Sequence, residues 1–439
     1  MGFPLQVKYY NTYVLKKIAD SLISDRNWYI EEARIRGGYN NVQTGLSPRA
    51  FLVSENNAQE ALSNSIIYSG IFNSRTGINQ SNQFPSGEDI TRTVDPSKGS
   101  IQKLYAENTN LTIFQERKVN RALIDKDAIY TQEGVPMQTT SNVVIGAIQP
   151  YAGEFGISTN PESFAVYGYR KYFTDARQGS VLRLSQDGLT EISNYGMYDF
   201  FRDKLGALSS GKAVGGYDIH NKCYTLSLQP ASTVITPETL SFDEQIKGWT
   251  SRYSYVPSNM FSVQNNFYST TRSVEKIERA GEDPSVIIGD IYQHYSDNVN
   301  RGNFYTTQYV SQIQSIFNVN PSVIKTFQTI NYEGAPNWSM TSFITNEDQA
   351  NSIAVFNMPL TLADMETSLL KNEFKRKEDK YFANLVNTSA FTQGEIIFGK
   401  SISGVKGFFA TVLLEATNTA TSGTNELFAI STNYKESSY

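Results

Sequence analysis

From residue 101 onward, apolar and polar residues alternate mostly with a period of two, the spacing of half-buried strands. The runs SIQKLYAE, NLTIFQER and KVNRALID come first, separated by Glu107-Asn108-Thr109-Asn110 and by Arg117-Lys118. FAVYGYRKYFTD, SVLRLSQ and LTEIS form a second set, joined by Ala176-Arg177-Gln178-Gly179 and by Asp187-Gly188. Asp-Gly between alternating runs is a strong hairpin signal. The strand pattern continues past residue 256, interrupted by a charged excursion at 275–283, and PSVIKTFQTINYEG (321–334) reads as a strand pair. Two or three more strands are predicted between residue 394 and the C-terminus.

Helical spacing is rare. Val14, Leu15, Ile18, Leu22 and Ile23 recur on one helical face within residues 11–36, where Asn27-Trp28-Tyr29-Ile30 also fits an extended chain, and Gly37-Gly38 offers a stop. A short helix is predicted over GMYDFFRDKLGAL (196–208), and 360–380 looks helical at its start. Between the first helix and the first hairpin, residues 45–100 are polar apart from IIYSGIF (66–72), and 73–100 reads as an extended arm. The pattern thus predicts a mainly β protein with a short N-terminal helix and few others. Its antiparallel hairpins would be propeller-like or spread over several sheets. Three regions are expected: 1–100 as helix and arm, 101–345 as the β core, and 346–439 as a β region completing or capping it.

One phrase occurs twice, 25 residues apart. YDIHNKCYT at 217 and FDEQIKGWT at 242 both read aromatic-Asp-x-x-x-Lys-x-aromatic-Thr. Tyr217 matches Phe242, Asp218 matches Asp243, Lys222 matches Lys247 and Tyr224 matches Trp249. FKRKEDKYF is a looser echo that keeps the spacing of Phe374 and Tyr381. Asp, Lys and Trp this close together suit either an active site or a hairpin with a charged turn. Recurrence with the turn favours the hairpin. Asp243 is then expected to bond the turn backbone, Gly248 to supply a permissive φ, and Trp249 to pack between sheets or against a partner. A recurring hairpin also suggests radially repeated sheets.

Composition sharpens this picture. Tyr (27) and Phe (25) are abundant, which favours pleated surfaces. The net charge of −5 argues against a dedicated nucleic-acid binder. A single cysteine, Cys223, excludes an intrachain disulfide framework, and two histidines, His220 and His294, leave little for a zinc site. Neither a signal peptide nor a spanning apolar run is expected. Glu154, Asp175, Asp187, Glu191, Asp218 and Asp243 sit at turns, but nothing pairs them for glycoside hydrolysis. SQDGLTEI (185–192) lacks the Trp of a sialidase Asp-box, GKSISG (399–404) lacks the Walker A spacing, and SDNVNRGN (296–303) has Val299 where a calcium loop needs a ligand. No enzyme, metal or cofactor is expected. The surface composition is that of a binding or assembly protein.

Long phrases between residues 66 and 439 carry a resemblance. IYSGIFNSRTGINQSNQF, GISTNPESFAVYGYRKYFTD, VLRLSQDGLTEISNYGMYDFFRD, SQIQSIFNVNPSVIKTFQTINYEG and ELFAISTNYKESSY resemble virion structural proteins of tailed bacteriophages, closest to those of myoviruses of marine bacteria and cyanobacteria. In architecture the chain is more distantly similar to phage tail proteins of the nozzle or stabilisation type, which are propeller-like and form sixfold rings. The resemblance implies a non-catalytic component of the tail neck, nozzle or baseplate. Its partners would be copies of itself, in a sixfold or threefold ring, and neighbouring tail proteins. It also implies manufacture in a host cytoplasm and residence in the virion. A receptor- or glycan-binding propeller is the alternative.

Overall fold

The computed structural model describes residues 62–69, 90–107, 110–130, 136–208, 210–232, 234–271, 273–276, 285–288, 290–296, 298–350, 352–354, 374–389, 404–416 and 425–437. It also describes strands at 13–17 and 28–33 and positions 72, 73, 77–79, 81 and 84. The chain divides into two compact units, 1–272 and 273–439. It is mainly β, in many antiparallel sheets.

The first unit is built on three consecutive four-stranded meanders. Sheet I holds β1 (Ile101–Glu107), β2 (Asn110–Gln115), β3 (Val119–Tyr130) and β4 (Pro136–Pro150). Sheet II holds β5 (Ala165–Tyr167), β6 (Arg170–Asp175), β7 (Ser180–Ser185) and β8 (Gly188–Glu191). Helix α1 (Tyr198–Gly206) follows and buries Phe201 and Leu205, one turn apart. Sheet III holds β9 (Lys212–Asp218), β10 (Cys223–Gln229), β11 (Glu238–Asp243) and β12 (Gly248–Tyr253). The hairpin of β13 (Asn259–Val263) and β14 (Asn266–Thr270) comes last.

Period two decides how the sheets stack. Every side chain of β6 after Arg170 is buried, because the strand is covered on both faces. Phe173 joins Leu182 and Leu184 in a cluster with Phe114 and Val119 of sheet I. Its neighbour Tyr172 points the other way and joins Val181, Phe201, Tyr217, Tyr224 and Phe242 in the cluster with α1 and sheet III. Sheet II is therefore the filling between sheets I and III. Phe114 meets Phe173 edge-on at 5.1 Å, and Tyr172 stacks on Tyr224 at 4.9 Å. Each such buried ring contributes roughly 1.5–3 kcal/mol.

Two glycines let these layers come close. A Cβ on Gly215 would lie 2.0 Å from the Ser163 carbonyl oxygen, and one on Gly216 would lie 2.4 Å from Cβ of Met260. No other residue fits either place.

In the second unit, one sheet contains β15 (Ser311–Phe317), β17 (Trp338–Thr345) and β19 (Ala410–Ala416), with β19 in the middle. The other is centred on β16 (Lys325–Gly334), paired on one side with β18 (Lys380–Val386) and Val405–Gly407, and on the other with β20 (Leu427–Glu436). Their inner faces share one core, in which Phe327 meets Phe343 edge-on at 5.4 Å.

Several expectations change. Tyr13–Lys17, within the expected helix, is a strand antiparallel to Trp28–Ala33, with Lys17 opposite Trp28, while residues 18–27 lie outside the described residues. Tyr13, Val14, Trp28, Tyr29 and Ile30 are strong strand formers, and there pairing outweighs the helical spacing. Within residues 321–334 there is one ten-residue strand, Lys325–Gly334, not a pair. The expected arm is shorter than 73–100. Thr91–Thr93 pairs with Ser65–Ile67, and Ile90 and Val94 are buried, so residues from 90 on belong to the folded body. Most of 74–89, and residues 360–373, lie outside the described residues. The three C-terminal strands are present.

Candidate functional site

The repeated phrase forms the hairpin turns of sheet III. In the β9–β10 turn, Asp218 Oδ1 accepts the backbone N–H groups of His220 (2.9 Å) and Asn221 (3.3 Å). In the β11–β12 turn, Asp243 Oδ1 accepts those of Gln245 (2.7 Å) and Ile246 (3.4 Å). The residue four places on is left-handed in each, Lys222 at φ 57° and Lys247 at φ 53°. Lys247, not Gly248, therefore carries the unusual backbone angle, and both lysine side chains are exposed.

A third copy of this turn joins β6 to β7. Asp175 accepts from the N–H groups of Arg177 (3.1 Å) and Gln178 (3.2 Å), and Gly179 takes the left-handed place at φ 69°. Asp175 Oδ1 and Oδ2 also accept from Ser158 Oγ (2.7 Å) and Gly156 N (2.9 Å), which ties the incoming chain to sheet II. The looser echo at 374–382 is a different turn. Glu378 and Asp379 both have positive φ, and Lys375–Lys377 pairs directly with the start of β18.

The aromatic members of the phrase are packing groups. Tyr217 stacks on Tyr167 at 4.2 Å. Tyr224 is fully buried and donates its hydroxyl to Ser163 O at 2.7 Å. Phe242 and Phe201 flank Trp249 at 5.4 and 4.5 Å, and its indole N–H donates to Ile192 O at 3.1 Å. Burial raises the phenol pKa of Tyr172, Tyr217 and Tyr224, so these hydroxyls stay protonated, and those of Tyr172 and Tyr224 act as donors. Glu244, in the Asp243 turn, reaches sheet II. It accepts from Tyr172 Oη at 2.9 Å and from Arg183 Nη1 at 3.1 Å. The turns thus latch one sheet to the next.

The carboxylates weighed for hydrolysis are occupied structurally. Glu154 pairs with Lys98 and Lys118, Asp187 pairs with Arg183, and Glu191 accepts from Ser180, Ser193 and Asn194. His220 is exposed at its turn while Cys223 is buried in β10, where burial pushes the thiol up to about 12. A thiol held protonated is no nucleophile. Among the described residues, no cluster of three or more His, Cys, Asp or Glu could hold a metal ion, and no helix is long and apolar enough to cross a membrane.

The three turns yield an ordered expectation. Asp243→Ala should cost about 1 kcal/mol, and Asp175→Ala, whose buried carboxylate loses four donors, about 3 kcal/mol. Urea denaturation of both variants checks the order, and equal losses would contradict it.

Residues 90–273 match the family model described as Crassvirus muzzle protein, and 299–388 match that of the Crassvirus muzzle protein C-terminal domain. The first match covers sheets I–III and the β13–β14 hairpin, and together the two take in more than half of the chain. No curated protein matches. Among solved structures, an exo-β-1,3-galactanase from Phanerochaete chrysosporium with bound β-1,3-galactotriose is 9% identical over 84% of this chain and 100% of that chain. Its TM-score of 0.20 supports no conclusion about fold or activity. With both matched segments falling to the same kind of virion protein and the carboxylates committed to structural contacts, the chain is a phage virion structural protein.

Proposed function

We propose that the protein is a non-catalytic, muzzle-type component of a phage tail that forms a ring with copies of itself and contacts neighbouring tail proteins. The observation that carries this reading is an unguarded sheet edge. Among the described residues, β15 pairs on one side only, with β19. The stretch 310–320, VSQIQSIFNVN, contains no charge and no proline. Val310, Ile313, Ile316 and Val319 are exposed along it. Solitary proteins protect such edges with lysine, proline or a covering loop, because an open apolar edge recruits another chain. A second copy adding a strand or packing on these side chains is the natural occupant, and head-to-tail contacts of this kind close into rings.

The first unit fits the same role. Three stacked four-stranded meanders are the repeating element of a propeller, and latches such as Glu244 to Tyr172 and Arg183 hold them as one body. Antibody against the protein should label one end of the tail in electron micrographs of purified virions. Label on the capsid, or none on intact particles, would contradict the reading.

A further inference from the structure

A groove of about 500 Å³ opens where sheet I meets sheet II, within the size range of small-ligand sites. The aromatic rings of Tyr105, Tyr151 and Tyr169 line it. The Tyr169 ring stands 73% exposed at the β5–β6 turn, beside Gly168 at φ 56°. Amides come from Asn110 and Gln186. The charged lining groups are Arg121, Lys171 and Glu107. Lys171 is only 4% exposed, pairs with Glu107, and lies 5.6 Å from the Tyr105 ring centre. Tyr151 and Arg121 line the groove together, and burial raises the Tyr151 phenol pKa, so it stays protonated.

The Lys171–Glu107 pair also ties the two sheets together, but that role requires neither Arg121 nor an exposed Tyr169. With lysine and glutamate balancing, Arg121 leaves the groove one net positive charge. A planar guanidinium suits a carboxylate, and a solvent-facing ring beside amide groups suits the apolar face and hydroxyls of a pyranose. We propose that this groove binds an acidic saccharide, with Arg121 holding the carboxylate and Tyr169 stacking on the sugar ring. The proposal is independent of ring assembly, because every residue it uses lies in the first unit of one chain.

The full-length protein is titrated by calorimetry and saturation-transfer NMR with digalacturonate, neutral galactobiose and a triglutamate peptide. Digalacturonate should bind with Kd near or below ~1 mM, and galactobiose at least ~10-fold more weakly. Tyr169→Ala and Arg121→Gln should each weaken digalacturonate binding by ~10-fold or more while retaining the wild-type melting curve. The idea is overturned by the absence of saturable digalacturonate binding, by equal binding of the neutral disaccharide, or by binding that neither variant changes. Triglutamate binding as tightly, and unaffected by Tyr169→Ala, would assign the groove to a protein segment and equally overturn it.

Discussion

Gly215→Ala is expected to cost about 3 kcal/mol or more, among the largest losses from any single methyl group in this protein. The added carbon would sit 2.0 Å from Ser163 O, 2.6 Å from Ser163 C and 2.9 Å from Tyr224 Oη. None of these atoms can yield cheaply. The Ser163 carbonyl accepts the buried Tyr224 hydroxyl at 2.7 Å, and Ser163 Oγ accepts the Thr174 N–H at 3.1 Å while donating to Asn160 O at 2.8 Å. A shift of Ser163 therefore breaks contacts of sheet II and sheet III together. Gly188→Ala is the control. Its Cβ would meet nothing within 4 Å, so only the φ of 98° opposes it, and the loss should be roughly 1–2 kcal/mol. Denaturant unfolding of both variants reads the difference, and a Gly215→Ala protein within ~0.5 kcal/mol of wild type would refute the close packing described.

Charging the open edge should have the largest effect on assembly. Ile313 and Ile316 are 38% and 67% exposed, so Ile313→Lys/Ile316→Lys should leave monomer stability within ~0.5 kcal/mol of wild type. Two lysines on an edge strand repel a second copy and must be desolvated when it docks. Self-association should weaken by at least ~30-fold, the loss of a hot spot worth about 2 kcal/mol. Sedimentation velocity across a concentration series reads this directly. Unchanged association in the folded double variant would place the interface elsewhere.

The strands and their turns were largely legible in the sequence, since period-two alternation fixes them. The Asp-x-x-x-Lys turns were legible because aspartate bonding to its own turn backbone is local chemistry. The third copy escaped because Gly179 stands where the other turns have lysine, and Thr174 where they have an aromatic residue. The shared aspartate bonds to the turn backbone and the shared left-handed φ reveal the kinship. Gly248 was a reasonable candidate for that conformation, yet the turn places it one residue later, opposite Asp243 in the ladder. The strand at Tyr13–Lys17 was missed because Val14 and Leu15 fit either period, and the partner strand that decides between them lies 11 residues away. The groove was illegible for a related reason. Its residues come from five strands, two turns and the segment after β4, joined only when sheet II packs on sheet I. The uncharged run at 310–320 could be read in the sequence, but that it forms an edge could not.

The central claim is self-assembly through that edge. Mass photometry of the purified wild-type protein, with class averages from negative-stain electron microscopy of the same sample, tests it most directly. The account predicts a closed ring whose mass is a multiple of three chains, lost in Ile313→Lys/Ile316→Lys. A wild-type protein that stays monomeric at micromolar concentration and shows no ring in the images would contradict it.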